Sequence, residues 1–142
     1  MLIYTLEKIH IIYPVLAIVL LQFLSIIHLR FIFQKAVKSR EVEYRFFRLY
    51  EGSSPEYLRL ARQHYKNLFE IPILFHLLCV VLFIIDDVRE FDLWIAWSFV
   101  ISKYIHSYIR MTSNYVPNRA YSFYVSIILL LAAWISLAIR II

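Results

Sequence analysis

Glycine and cysteine are nearly missing from this chain of 142 residues, which has one of each, Gly52 and Cys79, and only four prolines. One cysteine excludes an internal disulfide, and Cys79 sits inside an apolar run, where it reads as a small core residue. So little turn chemistry argues against a fold of many short strands and points to long helices. The apolar runs also lack the strict alternation of a membrane β-barrel. Charge is missing where it would matter most: Ile9–Leu29 and Ala120–Ile139 contain no Asp, Glu, Lys or Arg. The histidines His10, His28, His64 and His76 lack convergent ligand spacing. His64 and His76 stand more than three turns apart on one helix, so no metal site is expected.

What is present is apolar bulk. Hydrophobic residues make up 62% of the chain, against about 45–50% in a soluble domain. A helix crosses a bilayer with about 20 mostly apolar residues. Ile9–Leu29 and Ala120–Ile139 meet this outright, Ile71–Ile85 meets it if its helix begins upstream, and Leu93–Ile109 is the weakest span because it holds Lys103 and His106. The expectation is an all-α membrane protein, a single domain over residues 1–142, with four transmembrane helices at roughly 6–37, 55–85, 92–113 and 118–140. The first span is too long for a cleavable signal and is expected to stay as an anchor.

With four spans, the regions 30–66 and 103–119 share one side, and they hold 12 of the 15 basic residues, while the ten acids divide evenly. The positive-inside rule then places both termini outside and the basic side in the cytoplasm. Topology accounts for the net charge of +5, so nucleic acid is not expected as a partner. Trp94, Trp97 and Tyr4 suit interfacial positions. "EVEYRFFRLY" (41–50) reads as an amphipathic interfacial segment rather than a strand. Ser54 reads as an N-cap ahead of Pro55 and Glu56, Asp92 as the N-cap of the third span, and Asp86–Asp87 as a solvated loop cap. Pro72 is expected to kink its helix or release a carbonyl.

The polar residues inside the helices are not scattered. Gln63, Lys66, Asn67 and Glu70 recur at i, i+3, i+4 and i+7, a single stripe on one face. Lys103, His106, Ser107, Arg110 and Asn114 form a second stripe, Arg119 opens the fourth span ahead of Ser122 and Ser126, and Arg30, Gln34 and Lys35 close the first. The alternation of helix direction brings all four groups to the basic end. Charges within a bilayer cost about 2.5–3.5 kcal/mol each on insertion scales and face a cavity or one another. Snorkelling explains the lysines and Arg110, but Asn67, Glu70 and His106 are too short for it. Four cations with one carboxylate, an amide and an imidazole suit a small peptide-like anion with one ammonium; glutathione has that pattern.

At these residues "HYKNLFEIPILF" (64–75) and "WIAWSFVISKYIHSYIRMTSNYVPNRAYSFYVS" (94–126) resemble the MAPEG family, membrane-associated proteins in eicosanoid and glutathione metabolism, especially its bacterial members. The resemblance implies a four-helix bundle assembled as a homotrimer, with glutathione as co-substrate bound between subunits near the cytoplasmic face. It implies glutathione contacts from Lys66, Asn67, Glu70, Lys103, His106, Arg110 and Arg119, and a looser one from Arg30. Arg119 would be the catalytic residue that activates the thiol. Arg110 stands where some members carry tyrosine, and Ala120 where one carries a serine near the sulfur. Two readings follow. The first is a microsomal-type glutathione transferase or peroxidase acting on lipophilic electrophiles; the second is a non-catalytic lipid-binding scaffold or accessory subunit. The sequence leaves the choice open, with the enzyme ahead.

Overall fold

A computed structural model of the chain describes residues 8–142, so Tyr4 and the expected helix start near residue 6 lie outside the described residues. The described chain is all-helical, with no strand. Its helices are α1 (Ile12–Lys38), α2 (Phe46–Leu49), α3 (Glu56–Glu70), α4 (Pro72–Ile85), α5 (Glu90–Met111) and α6 (Val116–Ile141). Three stretches are long and apolar enough to cross a membrane: α1, α3 with α4, and α6. With 22 residues, α5 is long enough at about 33 Å. Glu90, Asp92, Lys103 and Arg110 make it less apolar than the others. It packs most extensively along α6, as α1 does along α3.

Pro72 divides α3 from α4 at Ile71. Proline has no N–H, so the carbonyl four residues earlier, on Leu68, loses its helical donor. The Gln22 amide replaces it, donating to Leu68 O at 2.9 Å. A polar side chain in the middle of an apolar span thus compensates for a backbone break on its neighbour.

Several helix ends differ from expectation. Ser54 caps nothing; α3 begins one residue later, with Pro55 O accepting from the N–H groups of Leu58 and Arg59. Nor does Asp92 open α5. Arg89 is the N-cap, and Asp92 reaches back from the first turn to accept from Arg89 N at 3.0 Å, so the cap stands three residues earlier. Asp86 and Asp87 are not simply solvated. Asp86 pairs with Lys8 at 3.1 Å, while Asp87 takes Arg89 at 3.0 Å and Arg140 at 3.4 Å.

The main core lies among α1, α4, α5 and α6, with Ile18, Phe75, Leu82, Phe99, Leu130 and Leu137 buried and Phe75 stacked on Phe99 at 4.5 Å. Cys79 is buried in it. A smaller cluster of Ala36, Val42, Phe46 and Leu58 folds the connection after α1 back onto α3. That cluster explains α2: Phe46 turns inward while Tyr44 and Leu49 stay exposed. Gly52 lies ahead of α3 at φ 100°, a conformation that side chains avoid. The basic ends of α1, α3 and α5 and the start of α6 therefore meet at one pole of the bundle. The acidic turn 86–89 and the end of α6 form the other.

Candidate functional site

A cleft of about 210 Å³ opens at the basic pole between α3, α5 and α6. Its walls are Asn67, His106, Arg110, Arg119, Ala120, Phe123 and Tyr124. Helix periodicity explains why Asn67 enters it. Successive residues turn by about 100°, and α3 buries the face of Ala61, His64 and Leu68. Asn67 lies next to that face and is half-buried; Lys66 and Glu70, two residues on either side of Leu68, point about 160° away from it and are exposed.

His106 is buried, 2% exposed, and its hydrogen bonds fix its tautomer. Its Nδ1 lies 3.1 Å from Arg119 O and 3.1 Å from Ser122 Oγ. Ser122 Oγ itself donates to Arg119 O at 3.0 Å. A carbonyl only accepts, so Nδ1 carries the proton and Nε2 is the bare acceptor. Nε2 is buried and has no partner among the described residues. Such a group asks for a donor from outside the chain.

Arg119 is held by its neighbour in the turn. Its Nη1 donates to Asn114 Oδ1 at 2.9 Å. Asn114 sits at φ 47°, a left-handed position that asparagine tolerates, and its N–H bonds Ile109 O at 2.7 Å. The other nitrogens of the guanidinium are left for the cleft. Arg110 stands on the far wall and donates to Gln63 Oε1 at 3.3 Å. No carboxylate lies within ion-pair distance of either arginine among the described residues. The cleft is therefore a concave, electropositive surface with one buried acceptor and one aromatic side.

Lys103 lies beneath the cleft, 1% exposed, with Nζ over the rings of Phe99 and Phe123 at 5.4 and 5.3 Å. It does not snorkel, because both rings and the start of α6 cover it. Arg30 lines a separate groove of about 350 Å³ with Phe33, Gln34, Lys38, Tyr44 and Phe47. Of the residues singled out in the sequence, four (Asn67, His106, Arg110 and Arg119) share the cleft. Lys66, Glu70, Lys103 and Arg30 stand outside it within this single chain.

Residues 11–139 match the sequence model of the MAPEG family. The chain belongs to the MAPEG family. No curated protein and no solved structure matches it. A MAPEG chain is a membrane protein of glutathione and eicosanoid metabolism, and the match takes in every residue that lines the cleft.

Two walls escaped the sequence reading, Phe123 and Tyr124. Phe123 is four residues on from Arg119, and Tyr124 four on from Ala120, spacings that place each pair on a shared face. The nearby tyrosines Tyr104, Tyr108, Tyr115 and Tyr121 do not line the cleft. Tyr104 donates to Ala17 O at 2.9 Å, and Tyr108, Tyr115 and Tyr121 are exposed.

Proposed function

We propose that this MAPEG chain binds glutathione in the cleft of Asn67, His106, Arg110 and Arg119 and uses it against lipophilic electrophiles. The observation that carries the proposal is the Arg119 guanidinium, tethered by Asn114, in no ion pair among the described residues, and lining one cleft with His106. Arg119 would stabilise the glutathione thiolate, the reactive form of the thiol. Arg110 and Asn67 would hold a carboxylate and an amide of the tripeptide. His106 Nε2 would accept a peptide N–H.

Lys66 and Glu70 face away from their own bundle, which suits a site completed across a subunit seam in a homotrimer. Glu70 would take the glutathione ammonium there, and Arg30 would arrive from a neighbouring subunit. Lys103 would add positive charge from below. The basic pole would face the cytoplasm of a bacterial inner membrane, with both termini outside and α5 as a fourth span, so that an apolar substrate reaches the thiolate from the bilayer. The reaction class is transferase or peroxidase: the thiolate displaces a leaving group from an electrophilic carbon, or takes an oxygen from a peroxide to give a sulfenic acid and the alcohol, after which a second glutathione converts the sulfenic acid to the disulfide and water.

The test is equilibrium binding of glutathione to the detergent-solubilised protein, read with the ultraviolet absorbance of the thiolate. Saturable binding with thiolate absorbance is expected, and Arg119→Ala should lose the absorbance and turnover more than the binding. Absence of saturable binding in intact oligomer overturns the proposal.

One observation favours a second reading. Ala120 offers no hydroxyl beside Arg119, and Arg110 adds a second guanidinium. Two cations at a membrane pole also suit an anionic lipid headgroup, as in a non-catalytic accessory subunit. Phospholipid retained through purification and lost in Arg110→Ala, without glutathione turnover, would establish it instead.

A further inference from the structure

A second cavity, of about 250 Å³, lies inside the bundle on the other side of Arg110. Its walls include His28 of α1, Leu60 and His64 of α3, Arg110 and Met111 of α5, and Asn114 of the turn that follows. It shares only Arg110 with the first cleft. No acidic residue lines it. His64 is 3% exposed; its Nε2 lies 3.1 Å from Ser107 Oγ, and its Nδ1 is buried without a partner among the described residues. The spacing of His28 and His64 in sequence gave no sign that they meet.

We infer that this cavity binds a short amphipathic carboxylic acid, its carboxylate on Arg110 and its chain against Leu60 and Met111. The charge argument is direct. The half-buried Arg110 guanidinium has only a 3.3 Å amide contact among the described residues, which leaves donors for an anion. The cavity supplies one permanent cation, so a ligand with one negative charge balances it and a phosphate dianion overfills it. Arg110 borders both cavities, so an acid bound on this side would compete with the glutathione carboxylate proposed for Arg110 in the first cleft. The histidines and Asn114 add hydrogen-bonding groups of no fixed charge. The remaining wall is mostly apolar, with Ile32, Tyr57, Leu60 and Ala61 beside Thr112, which suits a hydrocarbon chain. The size points to a short chain, since ligand pockets for drug-sized molecules begin at about 300 Å³.

The experiment is equilibrium dialysis of radiolabelled octanoate against the full chain in lipid nanodiscs, with protein-free nanodiscs as the blank. One saturable site per chain is expected, with octanol and octyl phosphate each weaker by about tenfold or more. Met111→Trp, at an exposed residue on the rim, should fill the cavity and weaken octanoate by about tenfold or more. Leu60→Phe fills the same space from α3 and should act alike, which protects the result if either variant folds poorly by size exclusion. Ala120→Trp closes the first cleft and should leave octanoate binding unchanged. The inference is overturned if no saturable component exceeds the blank, if octanol binds as well as octanoate, if octyl phosphate binds better, or if both filling variants fold and bind normally. Loss of octanoate in Ala120→Trp would also overturn it, by placing the acid in the first cleft. Failure of glutathione to bind would leave this result standing, because octanoate is read without it.

Discussion

Arg119 owes its position to a single side-chain hydrogen bond, from Nη1 to Asn114 Oδ1. On the proposed chemistry, that bond aims the guanidinium at the sulfur without touching glutathione, so Asn114 is a positioning residue. Asn114→Ala should lower kcat about tenfold, a loss of about 1.4 kcal/mol of transition-state stabilisation, while glutathione affinity stays within about twofold. Asn114→Asp keeps the acceptor and should restore most of the turnover; a purely structural role would lower stability and affinity together and show no such rescue. The residues of the cleft were legible in the sequence as far as one helix can report on itself. Spacing placed Asn67 on a polar stripe and His106 with Arg110 on another. It could not tell which edge of a stripe faces the bundle, so Lys66 and Glu70 looked equivalent to Asn67 until the buried face of Leu68 fixed the direction. Lys103 looked able to snorkel, because the rings that cover it come from Phe99 on its own helix and Phe123 on another.

At the scale of elements, the break between α3 and α4 couples two helices through one carbonyl. Pro72 frees Leu68 O, and Gln22 of α1 supplies the missing donor. His76 Nε2 stands 3.4 Å from Gln22 Oε1 and completes a small polar group. Gln22→Leu should therefore destabilise the folded chain by about 1 kcal/mol, the usual size of an interhelical hydrogen bond in a membrane. Pro72→Ala returns an N–H to the helix and should make the same Gln22→Leu change nearly neutral. A double-mutant cycle on thermal unfolding in detergent, followed by helical circular dichroism, measures this; additive losses would show that Gln22 does not serve the freed carbonyl. The long helices and the proline break were legible because hydropathy and proline chemistry are local. The partner was not. Gln22 and Leu68 are 46 residues apart, and nothing in either segment records the other. Helix starts moved for a similar reason: Asp92 has the chemistry of an N-cap, but its carboxylate also fits the reciprocal position three residues inside, which only the backbone decides.

Across the whole molecule the two poles are built differently. The basic pole carries unpaired cations around its clefts, whereas the opposite pole is closed by ion pairs. Arg140, at the end of α6 with its side chain 8% exposed, donates to both oxygens of buried Asp92, at 2.9 and 2.7 Å, and so ties α6 to the start of α5. Removing one member strands the other, so Arg140→Met should cost about 3–5 kcal/mol, and the double variant Asp92→Leu with Arg140→Met should recover most of it. Thermal unfolding of the three proteins checks this, and no recovery in the double variant would argue against a stranded charge. Asp87 belongs to the same lock from outside the spans. Its hydrogen bond from Arg89 holds the carboxyl below the usual carboxylate range; burial pushes the other way, and the charges of Arg89 and Arg140 add to the lowering. A carboxyl whose pKa is lower folded than unfolded stabilises the fold above its unfolded pKa, about 3.9. That contribution disappears as pH falls through the folded value. Asp87→Asn should therefore be less stable than the wild type at neutral pH, and the gap should close below about pH 4. Thermal midpoints measured between acid and neutral pH decide the matter. A gap that stays constant across the range would mean that Asp87 contributes through packing rather than through its charge.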